Sequence, residues 1–314
     1  MISPELISFF YNAASMKRWN DYPTLIDLTE LDKQAHKIMI AFFLASHEND
    51  IDHNKLIESF IFEFLRRVIV TDLRPDVFHE VIDEKILQIN EWALNNIKQI
   101  VEPIENGKFF ERIKSYFLDS SYNKNERDLL AAAHYLSTRY EFAIVYQSAS
   151  FLSDIETLKK SVESEIDKFT HYKGVVEIGL GGKLSRIVDL CGRLRFQIRW
   201  SQTPRLPKTS VLGHELIVAL FSYFYSLSVN ACQKRVANNF YCALFHELYE
   251  LLGDELIAPL EAEQTQEAVR KRLLDFYAKE MKRLRTDGQV ETLMELRGIV
   301  ERLKKGSLVA FRRF

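Results

Sequence analysis

Hydrophobic residues recur at helical spacing along most of this 314-residue chain. The stretch "DEKILQINEWALNNIKQIVEPI" has apolar residues at i, i+3, i+4 and i+7 and ends near Pro103, which is the pattern of an amphipathic helix. Residues 244–261, "LFHELYELLGDELIAPLE", have the pattern of another amphipathic helix and then a turn closed by Pro259. The best candidate for a strand, "GVVEIGL", is weak. The pattern therefore predicts an all-α fold.

The composition agrees with a helical, soluble protein. Eleven glycines and seven prolines are few for this length and favour long helices over a sheet with many turns. Hydrophobic residues make up 47% and charged residues 27%, which is typical of a globular chain with a sizeable core. The net charge of −2 shows no basic excess and gives no strong signal for nucleic-acid binding.

Features of membrane insertion and secretion are missing from the sequence. No apolar run approaches the ~18 residues of a transmembrane helix, and the N-terminus lacks a basic segment followed by an unbroken apolar one. The cysteines Cys191, Cys232 and Cys242 have no CxxC spacing and suggest reduced thiols. We therefore expect a cytoplasmic protein that does not enter a membrane.

The two halves of the chain resemble each other. Residues 16–45 match residues 197–223, because each segment contains Arg-Trp, then an extended stretch with proline, then a histidine that opens an apolar helix. Residues 62–78 match residues 245–261. The paired positions are Arg18-Trp19 with Arg199-Trp200, His36 with His214, Glu63 with His246, and Phe64 with Glu247.

This repeat predicts two related helical bundles in tandem. Glycines concentrate in "HYKGVVEIGLGGKL", residues 171–184, which is the best candidate for a linker. We therefore expect an N-terminal domain over residues 1–172 and a C-terminal domain over residues 173–314.

Candidate metal ligands cluster in the second half. His214 opens one helix, and His246 and Glu247 follow 32 and 33 residues later on another. Two imidazoles and a carboxylate suit a divalent metal. Glu250 lies one helical turn after His246 and could position a water. The alternative is that this acidic face of the helix is only solvated.

The order of these residues resembles the HD-domain metal-dependent phosphohydrolases, especially their 5′-deoxynucleotidase branch. That branch carries Arg-Trp, a histidine, the motif His-Asp-x-x-Glu, and a turn with Asp and Pro. The corresponding residues here are Arg199-Trp200, His214, His246-Glu247-x-x-Glu250, and Glu255 before Pro259.

The resemblance implies an HD-type bundle and a role for each residue. His214, His246 and Glu247 would bind a divalent metal such as Mn, Co, Mg, Zn or Fe. Glu250, Asp254 and Glu255 would be catalytic, and Arg199 and Trp200 would bind substrate. The implied activity is hydrolysis of a phosphoric monoester, and the implied partner is a small phosphorylated molecule such as a nucleotide. We also consider a homodimer.

The chain departs from the family pattern at several positions. Glu247 replaces the defining Asp, Glu255 replaces the turn Asp, and the last helix offers no final Asp ligand. These departures favour the alternative of a catalytically inactive HD-like module that binds a nucleotide or a protein.

The first half departs further from the pattern. Phe64 cannot bind a metal, so we expect an apolar or empty site there. A set of His36, Glu63 and His134 is the remaining option for a metal in this half.

Overall fold

Every regular element that the structure describes is a helix. The computed structural model describes residues 2–70, 75–198 and 206–248, with side chains outside 75–84. Within these ranges there is no strand, only two isolated β-bridges. The prediction of an all-α fold is therefore confirmed. The helices are α1 Pro4–Ser15, α2 Glu30–Ala45, α3 His53–Val70, α4 Pro75–Val101, α5 Lys108–Leu118, α6 Lys124–Ala149, α7 Ile155–Ser164, α8 Lys173–Gly179, α9 Lys183–Arg193, α10 Val211–Ser228 and α11 Gln233–Leu244.

Helix α2 lies at the centre of the described helices. It begins after the N-cap Thr29, whose side-chain oxygen accepts the Asp32 N–H at 3.2 Å, satisfying one of the orphan donors of the first turn. All sixteen of its residues are buried. It packs against α1, α3, α6, α8, α9 and α10, so its position is fixed from several sides.

One hydrophobic core spans both predicted halves of the chain. It includes residues from Leu6 to Leu248. The rings of Phe10 and Phe224, from α1 and α10, stack with centroids 5.6 Å apart. Helices before and after the expected boundary at residue 172 therefore share one interior. The division into domains over residues 1–172 and 173–314 stays a prediction.

Helix α10 is the most apolar element of this core. Among the described helices it is the one long and apolar enough to cross a membrane by length and composition, with a mean hydropathy of 1.3 over 18 residues. However, 61% of this window is buried inside the protein. Helix α10 packs against α11 and α2, as a core helix does.

The segment "GVVEIGL" forms a helix, so the candidate strand is wrong. It lies within α8, where Gly174 and Val175 are buried. A Cβ built on Gly174 would lie 2.8 Å from a side-chain carbon of Leu44. This close packing on α2 overrides the β propensity of the valines. The glycines that follow α8 form a turn, with Gly181 at φ 72°, before α9 begins.

The two β-bridges have the same spacing in the chain. One joins Lys17 to Thr29, and the other joins Ile198 to Ser210. Lys17 and Ile198 are 181 residues apart, and so are the N-cap residues Thr29 and Ser210. Each bridge therefore closes a loop that leads into a core helix.

The starts of α2 and α10 give a different correspondence between the halves from the one in the sequence. His214 is the fourth residue of α10, and the fourth residue of α2 is Lys33. His36 lies three residues further along α2. Counted from the helix starts, Lys33 and not His36 corresponds to His214, and the pairing of His36 with His214 stays a prediction.

Candidate metal centre

The start of α10 fixes the position of His214. The Ser210 side chain caps the helix by accepting the Gly213 N–H at 2.9 Å, and its hydroxyl also contacts the Asp32 carboxylate of α2. A Cβ on Gly213 would lie 2.9 Å from side-chain atoms of both Leu31 and Asp32. Glycine is therefore needed for this close approach, which holds the first turns of α2 and α10 together.

His246 and Glu247 lie in a turn that follows α11. The prediction of a helix over residues 244–261 is wrong at its start, because α11 ends at Leu244 and residues 245–247 form a turn. In a continuous helix the Glu247 N–H would donate to the Ala243 carbonyl. Instead, this carbonyl pairs with His246 Nδ1 at 2.5 Å. The hydrogen bond from the Glu247 N–H to the Ala243 carbonyl is thus absent, and side chains of His246 and Glu215 pair with these two backbone groups instead.

The Glu247 N–H, which has no helical acceptor in this turn, donates to Glu215. Its Oε1 accepts the Glu247 N–H at 3.1 Å, and its side chain is fully buried. Glu215 follows His214 in α10, so this bond ties the turn after α11 to the start of α10. Burial, together with the nearby Glu215 charge, raises the pKa of Cys191 well above its ordinary value. This thiol stays protonated and inert in the core.

The side chains of His214, His246 and Glu247 converge on one place. Their ligand atoms all lie within 4.8 Å of one another. His246 Nε2 is 3.0 Å and His214 Nε2 is 3.9 Å from Glu247 Oε1. The two imidazole rings lie 5.4 Å apart at an angle of 60°. The two histidine side chains are about a quarter exposed and Glu247 is a tenth exposed, so solvent reaches the cluster.

This geometry fits a divalent metal. Ligand atoms bonded at about 2.1 Å in a tetrahedral site lie about 3.4 Å apart, which falls between the two distances to the Glu247 oxygen. The contact between His246 Nδ1 and the Ala243 carbonyl fixes this nitrogen as the donor. The other ring nitrogen, Nε2, lies 3.0 Å from Glu247 Oε1 and is the one placed to bind a metal, and a second ring nitrogen bonded to a carbonyl is the usual arrangement of a ligating histidine.

His36, Glu63 and His134 do not form a second metal site. His36 is fully buried, with Nε2 2.9 Å from the Val188 carbonyl. Glu63 pairs with Lys37 and accepts the Tyr116 hydroxyl. His134 lies beside the ammonium of Lys33. Among the described residues, the one group suited to a metal is His214, His246 and Glu247.

The surroundings of Phe64 in the first half are apolar. Phe64 is fully buried in the core, stacks on Phe60 and lies 6.2 Å from the ring of Phe10. The prediction of an apolar or empty site in this half stays a prediction. Buried charged residues lie at the start of α2, where Arg18 pairs with Glu30.

The remaining candidate residues lie outside the described residues. They are Arg199, Trp200, Glu250, Asp254 and Glu255. Their roles in substrate binding and catalysis stay predictions.

Sequence reasoning missed the two residues that support the centre. Glu215 directly follows a candidate ligand, and this adjacency was the available signal. Asp32 gave no signal, because its contact with Ser210 joins residues far apart in the chain.

Comparison with known families agrees with this site. Residues 191–298 match the family model described as HD domain. The match supports the HD-domain superfamily for this part of the chain, which contains all three clustered residues. HD domains typically bind a divalent metal, and the domain suggests a superfamily of metal-dependent phosphohydrolases. No curated protein and no solved structure matches the chain.

Proposed function

We propose that this protein is a metal-dependent phosphohydrolase of the HD superfamily that acts on a nucleotide or a similar small phosphoester. The observation that carries the proposal is the convergence of His214, His246 and Glu247 within 4.8 Å inside the region matched by the HD family model. When bound, a divalent metal supplies Lewis acidity to the phosphate and to the attacking water.

The described residues have separate roles in this proposal. His214 and His246 offer imidazole nitrogens, and Glu247 offers a carboxylate. Glu215 holds the Glu247 peptide in place through its hydrogen bond of 3.1 Å. The partial exposure of both histidines leaves the cluster accessible to a phosphoester.

Other residues complete the proposal from the sequence. Arg199 would bind the phosphate, and Trp200 would pack on the sugar or base. Glu250 would position or deprotonate the attacking water, with Asp254 and Glu255 assisting near the leaving group.

We further propose that the chain is a tandem of two HD-type bundles related to the 5′-deoxynucleotidase branch, and that it acts in the cytoplasm. The equal spacing of the two β-bridges, together with the matching starts of α2 and α10, supports the tandem. Within it, the first bundle would support the second through the shared core.

A second candidate is a non-catalytic HD-like module that binds a nucleotide or a protein. Glu247 favours it, because the family that the chain resembles carries an aspartate there and glutamate is one methylene longer. The 3.0 Å contact between Glu247 and His246 could also persist as a simple ion pair.

Metal binding to the purified full-length protein distinguishes the two candidates. We would titrate Mn²⁺ and Co²⁺ by calorimetry into wild type, His246→Ala and Glu247→Asp. His171→Ala is the matched control, because His171 is exposed and far from the cluster in the chain. We expect His246→Ala to lose metal affinity and the control to retain it. Glu247→Asp should bind about tenfold more tightly, which corresponds to about 1.4 kcal/mol.

Phosphate release is then measured with deoxynucleoside monophosphates and the same metals. We expect turnover in wild type, faster turnover in Glu247→Asp, and none in His246→Ala. If wild type and Glu247→Asp bind no metal and release no phosphate, the enzyme proposal fails. Nucleotide binding without turnover would support the binding module.

A further inference from the structure

A completely buried carboxylate, that of Glu141 on α6, is held by donors from two distant segments of the chain. Its Oε2 accepts a hydrogen bond from Arg18 Nε at 2.9 Å and another from the Trp19 indole N–H at 3.0 Å. Its Oε1 lies 3.4 Å from Arg195 Nη1. The two oxygens therefore have three side-chain donors, two of which are cationic.

Two of these donors lie in one loop, residues 17–29, which leads into α2. Trp19 has a φ of 58°, in the left-handed region that bulky residues rarely adopt. Its ring packs on Phe142, with centroids 6.0 Å apart, and its N–H donates to Glu141, the residue before Phe142. The unusual backbone of Trp19 is therefore combined with a contact that joins the loop to α6, as strained residues at binding sites often are.

The two guanidinium groups each face a second carboxylate as well. Arg18 also donates to Glu30, at 2.8 Å. Burial raises the pKa of Asp32, and the Arg195 charge acts against this rise. Removal of Glu141 would therefore leave both cations with an anion nearby, but it would take away the acceptor that the described contacts give to the indole N–H. A buried donor of this kind needs an acceptor, so the site requires an oxygen at this point.

We propose that Glu141 is an internal ligand: its carboxylate fills a site for a small carboxylate anion, formed by Arg18, Trp19 and Arg195, and so keeps the loop of residues 17–29 bound to α6. The first half of the chain thus contains an anion site that one of its own side chains blocks. This inference involves no metal. It goes beyond the proposed hydrolase function and does not rest on it.

The internal ligand gives a role to the first of the two Arg-Trp pairs in the sequence. Arg18-Trp19 recurs as Arg199-Trp200, 181 residues later, which is also the spacing between the two β-bridges. In the proposed function, the second pair binds a phosphoester. The first pair is occupied by Glu141, so we expect the first half to take no soluble anion at this place.

The test replaces the internal ligand by a soluble one. Glu141→Ala removes Cγ and the carboxylate, which together have the heavy atoms of acetate. We would measure the urea midpoint of the full-length wild type and of Glu141→Ala in EDTA at neutral pH, in sodium acetate and in sodium chloride of equal ionic strength. Glu126→Ala is the matched control, because Glu126 is also buried on α6 but accepts the backbone N–H of Asp52 and not a cationic side chain. A double variant, Glu141→Ala with Trp19→Phe, removes the indole N–H and keeps an aromatic ring.

We expect Glu141→Ala to unfold at a lower urea concentration than the wild type in chloride. Acetate should restore about half of this loss or more, because an anion that binds only the folded state stabilises it. Formate should act more weakly, since it lacks the methyl group that would take the place of Cγ. The wild type and Glu126→Ala should gain much less from acetate, and Trp19→Phe should weaken the acetate effect about threefold or more, because it removes one donor.

Several results would overturn the proposal. They are equal midpoints of Glu141→Ala in acetate and chloride, an acetate effect of the same size in the wild type, and an effect that Trp19→Phe leaves unchanged. If Glu141→Ala is unfolded in chloride, circular dichroism decides. Recovery of helix on addition of acetate supports the internal ligand, and a chain that stays unfolded in acetate overturns it.

Discussion

The hydrogen bond from Glu247 to Glu215 gives the sharpest prediction about the metal centre. We consider two replacements of Glu215, which is fully buried. Glu215→Gln and Glu215→Met both remove the buried charge and keep a similar volume. Only the glutamine can still accept the Glu247 N–H, which now donates at 3.1 Å. The difference in stability and metal affinity between the two variants therefore measures the contribution of the hydrogen-bond acceptor at position 215.

The expected difference follows from the cost of an unsatisfied buried donor. Leaving a buried N–H without a partner costs about 1–3 kcal/mol, so Glu215→Met should unfold more easily than Glu215→Gln by that amount. The loss of the bond should also free the turn that carries His246. Loss of a residue that orients a metal ligand typically lowers metal affinity by about 10- to 100-fold.

Two measurements check this prediction. Urea unfolding in a chelator, followed by circular dichroism, gives the free energy of unfolding of each metal-free variant. Calorimetric titration with Co²⁺ then gives the metal affinity. Equal stability and equal affinity of Glu215→Gln and Glu215→Met would refute the role of this hydrogen bond.

Three further predictions concern packing and buried charge. Gly213→Ala should destabilise the protein by about 1–3 kcal/mol through overpacking and weaken metal binding at His214, and a normal urea midpoint with normal affinity would contradict this. Glu141→Gln should cost about 3 kcal/mol or more in urea unfolding, because Arg18 and its neighbours lose a buried counter-charge; a loss below 1 kcal/mol would count against it. Burial and the Arg195 charge lower the pKa of His36 to about 3. The folded state therefore resists protonation, and stability should fall as the pH drops below the ordinary value of 6.5, by about 2 kcal/mol between pH 7.5 and 5. His36→Gln should lack this part of the slope, and an unchanged slope would refute it.

The all-α class of the fold was predictable because helices leave a periodic pattern of apolar residues in the sequence. Apolar residues at helical spacing, with few glycines and prolines, indicate helices wherever they occur in the chain. The segment of α8 was the exception, since its valines and glycines resemble a strand until α2 packs against Gly174. Such long-range packing has no local signature.

The sequence indicated the three residues that cluster, His214, His246 and Glu247, but not the residues that hold them in place. The residue types of His214, His246 and Glu247 indicate a metal whatever backbone carries them. The sequence did not predict the turn that carries His246 and Glu247. This turn depends on Glu215, whose carboxylate accepts the Glu247 N–H in place of a helical hydrogen bond. The charged network of the first half was missed for a similar reason: its partners lie far apart in the chain.

The close contact at Gly213 has a consequence for engineering the metal centre. The spacing between α2 and α10 is set by Leu31 and Asp32, which approach the glycine where any side chain would collide. Changing the size of Leu31 should therefore move His214 relative to His246 while every ligand stays in the sequence. Metal ions differ in the bond lengths and angles they accept. Substitutions of Leu31, which is not one of the candidate ligands, should therefore change which metal ion the cluster of His214, His246 and Glu247 binds most tightly.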